Sequence, residues 1–222
     1  MKSIFNFINT KIIGPIEWGR LKYLFTGRAY DLSPEDREHA RHLMETQNLL
    51  WVSRRDSHLS SYFISFADYI LVFLVWAKSG FKGTRPYFGF YSHVFINKNA
   101  EKLIEAVGKG VVENYFDDVF NCDSIAALRP AHISVSEWAL ISKEVVIEAE
   151  KQLGKPYDAN FDINDESKLS CIELIRLSLK KRVPYYELRF ANFESLLKTY
   201  KNVTPNMLYK SSDFVIIWEV RK

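Results

Sequence analysis

Three observations predict an α+β fold, a small antiparallel sheet or partial barrel packed against helices. Capped helix starts stand at Ser33-Pro34-Glu35-Asp36 and at Ser134-Val135-Ser136-Glu137. Between them lies a run of short extended segments, divided by glycines and by Asn97-Lys98-Asn99, which is hairpin punctuation. An apolar strand, Phe214-Val215-Ile216-Ile217-Trp218-Glu219-Val220, closes the chain. Helices clustered around a mainly antiparallel sheet define this class.

Taken in order, residues 1–47 read as an N-terminal helical appendage and residues 48–222 as one domain. The N-cap Ser33, with proline at the first helical position and acids in the first turn, starts a helix that runs to about Gln47. Leu49-Leu50-Trp51-Val52 then reads as a first strand, and a long apolar helix is predicted over about 59–78. Extended segments follow at about 91–97, at Lys102-Leu103-Ile104-Glu105-Ala106, at Gly110-Val111-Val112-Glu113 and at Ser124-Ile125-Ala126-Ala127-Leu128-Arg129. A second capped helix spans about 135–152 and stops ahead of Gly154 and Pro156. A third begins near Cys171 and ends before Pro184.

Composition sets the outer limits. With 222 residues, 47% apolar and 15% aromatic, the chain can bury a sizeable core. A formal charge of +3, from 30 basic and 27 acidic residues dispersed along the chain, is too small for a nucleic-acid footprint, so no nucleic-acid partner is expected. The two cysteines, Cys122 and Cys171, form no CxxC and fit a reducing compartment better than a disulfide scaffold.

The N-terminus carries no secretory signal pattern. The apolar run 63–77 is interrupted by Asp68 and is shorter than the ~18–20 residues that cross a bilayer. It reads as a buried helix, although Trp76, Lys78, Phe81 and Lys82 beside it would suit peripheral membrane contact. There is no Walker-type or dinucleotide glycine loop, and no cofactor is expected. His39 and His42 lack a third ligand and read as a solvated helix face. Asp158, Asp162, Asp165 and Glu166 depart from EF-hand spacing and read as turn and cap residues, so no metal site is expected.

The chemistry centres on Cys171. It stands in Ser170-Cys171-Ile172-Glu173-Leu174-Ile175, at a predicted helix N-terminus, where unpaired N–H groups and the helix dipole favour a thiolate. A cysteine hydrolase also needs an imidazole, a polar group to orient it and donors for the oxyanion. His93 enters a predicted strand whose alternation puts His93, Phe95 and Asn97 on one face. Glu105, on the next strand of the hairpin, is expected opposite His93, where it would accept the ring N–H. Each residue has a bland reading too: a lone cysteine is usually a small core hydrophobe, and a strand histidine or glutamate usually a satisfied polar residue.

Their order carries more than any one of them. Tyr91-Ser92-His93-Val94-Phe95-Ile96, Leu103-Ile104-Glu105-Ala106 with Gly110-Val111, Leu153-Gly154-Lys155-Pro156-Tyr157-Asp158 with Phe161-Asp162, and Ser170-Cys171-Ile172-Glu173-Leu174 together resemble the circularly permuted, NlpC-type papain-like cysteine hydrolases of the bacterial YiiX and YaeF kind. Thr204-Pro205-Asn206-Met207-Leu208 resembles their C-terminal segment, and the similarity covers about residues 48–220.

The resemblance implies a permuted papain-like hydrolase domain in which Cys171 is the nucleophile, His93 the base and acid, and Glu105 the orienting residue. The backbone N–H of Cys171 and the side chain of Tyr157 would serve the oxyanion or the substrate. It implies a peptide, isopeptide or acyl-amide substrate, cell-wall stem peptides included, with lipid acyl transfer and a vestigial binding module as the alternatives. Oligomeric state is not legible, and the setting expected is cytoplasmic or phage-associated. Ile172 replaces a serine frequent in the family, and Gln47-Asn48 replaces its usual Gly-Asp.

Overall fold

The computed structural model describes residues 32–54, 91–159, 162, 164–180, 182, 183 and 204–221, with residues 63, 64, 69, 70, 73, 76, 77 and 80 between the first two blocks. Helix α1 (Pro34–Thr46) opens with a full capping box: the Ser33 hydroxyl accepts the Asp36 N–H, and the Asp36 carboxylate accepts the Ser33 N–H. Strand β1 (Leu50–Arg54) follows. The helix expected over 59–78 falls largely outside the described residues; positions 63, 64, 69, 70, 73, 76 and 77 are helical. Among the described residues no helix is long and apolar enough to cross a membrane.

Three strands come next: β2 (His93–Asn97), β3 (Lys102–Val107) and β4 (Gly110–Tyr115). A short helix that the sequence reading missed, α2 (Phe116–Val119), leads to β5 (Ser124–Pro130). Then come α3 (Val135–Glu150), α4 (Cys171–Lys180), the short α5 (Pro205–Lys210) and β6 (Phe214–Arg221). The strands form one open antiparallel sheet in the order β4-β3-β2-β1-β5-β6. The fold is α+β as expected, a sheet rather than a closed barrel.

Strand alternation sorts the core into two clusters, one on each face of the sheet. On one face Val52, Val94, Ile96, Ile104, Ala106 and Leu128 pack with Val145 and Ala149 of α3 and with Cys171, Leu174, Ile175 and Leu179 of α4. On the other, Trp51, Phe95, Leu103, Ile125 and Ala127 pack with Ala40, Leu43 and Met44 of α1 and with Phe116 of α2. Trp51 organises this second cluster, with Phe95 stacked at 6.4 Å and Phe116 and Trp218 edge-on at 5.3 and 6.3 Å. Each fully buried aliphatic or aromatic side chain here contributes about 1.5–3 kcal/mol.

Some buried polar groups tie the strand ends together, while Ser124 Oγ, Arg129 Nε, Ser170 Oγ and Glu173 Oε1 are buried without a hydrogen-bond partner among the described residues. The Asn97 carbonyl, wholly buried, accepts the Leu49 N–H at 2.6 Å and the Trp51 indole N–H at 3.1 Å. Those bonds lock the end of β2 to the start of β1. The Trp138 indole N–H donates to the Asn48 carbonyl at 2.5 Å, pinning α3 to the same corner.

Candidate active site

Cys171 is the first residue of α4, and the Glu173 carboxylate accepts the Ser170 N–H at 2.7 Å, half of a capping box that fixes the helix start. Burial raises the pKa of Glu173, an effect opposed by that Ser170 N–H. The segment before the helix is strapped to β4. Val111 N–H donates to the Lys155 carbonyl at 2.8 Å, Gly154 N–H to the Val111 carbonyl at 2.9 Å, and Leu169 N–H to the Pro156 carbonyl at 3.0 Å. Gly110 permits this approach, because its φ is +105° and a Cβ there would meet the Lys155 oxygen at 2.4 Å.

His93 opens β2, opposite Ser53 of β1. Its Nε2 lies 2.6 Å from Glu105 Oε2, and its ring stands close enough to Cys171 for the two groups to influence each other. With Nε2 committed to Glu105, Nδ1 is the nitrogen available to the sulfur. His93 thus stands between Cys171 and Glu105.

The route by which they meet differs from the expected one. The register Ile96↔Ile104 and Asn97↔Leu103, carried on, sets Glu105 across from Phe95, so it reaches His93 diagonally rather than from directly opposite. By alternation His93 shares the face of Phe95, whose ring is 6.0 Å away, whereas Cys171 belongs to the cluster on the other face. The β2–β3 ladder runs only through those two pairs, and α4 packs on both strands. Toward His93, β2 stays paired with β1 and β3 with β4, but β2 and β3 are not paired with each other.

The electrostatics follow from burial and pairing. Burial works to lower the pKa of His93, but Cys171 and the Glu105 carboxylate beside it outweigh that and push it up to about 10. Both neighbours favour the imidazolium over the neutral ring. Tyr157 is half-buried near Cys171; burial first, then the charges of Cys171, Glu173 and Asp158, raises its pKa and keeps its hydroxyl protonated.

One residue of the site escaped the sequence reading. Asn114 donates from Nδ2 to Glu105 Oε1 at 2.5 Å, so both carboxylate oxygens are engaged. The signal was there: Glu105 pairs with Val112, and two residues on along β4 is the same face. The expected strand stopped at Glu113, one residue short. Before the site, Tyr91 is fully buried and its hydroxyl donates to Glu219 of β6 at 2.5 Å, anchoring the entry to β2.

The other sequence candidates sit elsewhere. His39 is exposed on α1 with its ring 5.4 Å from Trp218, and His42 is exposed on the same helix. Asp158 accepts the Asp162 N–H, Asp162 accepts from Asn164, and Asp165 accepts from Ser167, so the acidic loop is built of turn bonds.

No protein-family model matches the chain, and no curated protein matches it. Among solved structures, the crystal structure of the metalloprotein YiiX from Escherichia coli O157:H7 superposes with a TM-score of 0.52 at 15% identity, over 79% of this chain and 98% of that one. The chain shares the fold of YiiX. At this identity the similarity bears on architecture and not on chemistry. YiiX is described as a metalloprotein; among the described residues of this chain no three His, Cys, Asp or Glu side chains are grouped to hold a metal ion.

Proposed function

We propose that residues 48–222 form a permuted papain-like cysteine hydrolase that cleaves an amide bond, peptide or isopeptide. The observation that carries this reading is the placing of Cys171 beside the His93 imidazole, whose Nε2 is held by Glu105 at 2.6 Å. The thiolate of Cys171 attacks the carbonyl carbon, and the resulting oxyanion lies against the Cys171 backbone N–H, which as a first-turn donor has no partner within α4, and against the Tyr157 hydroxyl. His93 passes its proton to the leaving nitrogen as the C–N bond breaks. Water then attacks the thioester, giving a proton to His93, and the acid departs as the thiolate is regenerated. Glu105 holds the ring and balances its positive charge throughout.

A second reading, acyl hydrolysis or transfer on a lipid, draws on Phe63 and Ile70, which stand 65% and 37% exposed in the apolar stretch. The same site would serve both. The test is a screen of peptide, isopeptide and lipid-ester substrates with the wild type and Cys171→Ala. The hydrolase reading expects turnover that the variant abolishes; full activity in Cys171→Ala overturns it. Turnover of lipid esters alone replaces the amide with an acyl-lipid substrate.

A further inference from the structure

We propose that Asn114 is a positioning residue of this site, acting on Cys171 and His93 through Glu105; the inference rests on the hydrolase reading above. A carboxylate buried beside aromatic rings needs donors for both oxygens, and an oxygen without one would turn to find a partner. The Glu105 side chain is 7% exposed, near the Phe95 ring that stacks on His93, and His93 engages only Oε2. Asn114 Nδ2 holds Oε1. Two bonds at opposite ends of the carboxylate fix its plane, and a fixed plane presents Oε2 to the imidazole in one direction.

The placement of Asn114 supports a role beyond sheet pairing. Its backbone faces Leu103 in the β3–β4 ladder, so strand formation does not depend on the amide. The side chain is half-buried on the edge strand, where a β-branched residue is well accommodated. The carboxamide also suits the task chemically. It donates without carrying a charge, and so leaves Glu105 negative beside a positive imidazolium.

The experiment uses the full chain with Asn114→Val, which removes the donor and favours the strand, Asn114→Leu as a parallel removal should valine be unstable, and Asn114→Gln, which keeps an amide. The rate of Cys171 alkylation by iodoacetamide and the His93 ring titration by NMR are read in each. Loss of the donor slows alkylation near neutral pH by about tenfold or more and lowers the His93 midpoint, whereas Asn114→Gln stays within about threefold of wild type. A folded Asn114→Val or Asn114→Leu protein with wild-type alkylation and titration overturns the inference while leaving the hydrolase reading intact. A wild-type Cys171 no faster than in His93→Ala overturns both.

Discussion

Replacing Glu105 with glutamine keeps the volume of the side chain and removes its charge. Glu105 Oε2 lies 2.6 Å from His93 Nε2 on a side chain only 7% exposed, so solvent screens the pair weakly. A hydrogen bond to a charged group is worth about 1.5–3 kcal/mol, and 1.36 kcal/mol is one pKa unit, so the substitution lowers the His93 pKa by about 1–2 units. The sign is fixed by charge: the carboxylate favours the imidazolium, and its loss favours the neutral ring. From about 10 in the wild type, the midpoint falls to about 8–9. The assay is the NMR titration of the His93 ring carbon-bound proton in both proteins, with the thermal midpoint as a check on folding. An unmoved midpoint in a folded Glu105→Gln protein refutes the claim that this carboxylate holds the imidazolium.

Three further outcomes follow from the same geometry. Because the folded-state pKa of His93 is raised above the ordinary 6.5, its contribution to stability is complete below about pH 6.5 and is lost as pH rises through about 10, so the urea midpoint declines across that window and His93→Asn flattens the decline. Gly110→Ala forces a side chain into a left-handed φ and against the Lys155 oxygen, costing about 1–3 kcal/mol by denaturant unfolding and slowing Cys171 alkylation because the strap before α4 shifts. Ile175→Ala opens a cavity between α4 and the sheet at a wholly buried position and lowers stability by about 2–5 kcal/mol; a loss under 1 kcal/mol would place Ile175 outside the core.

Much of the architecture was legible because the local signals are strong. Ser33 and Ser134 both cap the helices they announce, and the glycines and Asn97-Lys98-Asn99 divide the strands where the structure turns. What escaped was short or depended on pairing. Helix α2 is a single turn of four residues, too brief for a periodic pattern to show. Asn114 and the diagonal contact of Glu105 depend on register, which the hydrophobic pattern fixes only to within its period of two. The residues of the candidate site could be named from their order in the chain. That Cys171 packs with the core cluster of the other sheet face could not, because the docking of α4 on the sheet leaves no local mark in the sequence.

The most direct measurement is the rate at which iodoacetamide alkylates Cys171 at about pH 6, compared between the wild type and His93→Ala and followed by peptide mass spectrometry, with Cys122, buried like Cys171 but away from His93, as the internal control. A thiolate paired with the His93 imidazolium predicts fast modification of Cys171 in the wild type and a loss of about tenfold or more in the variant. Equal rates in the two proteins would contradict it.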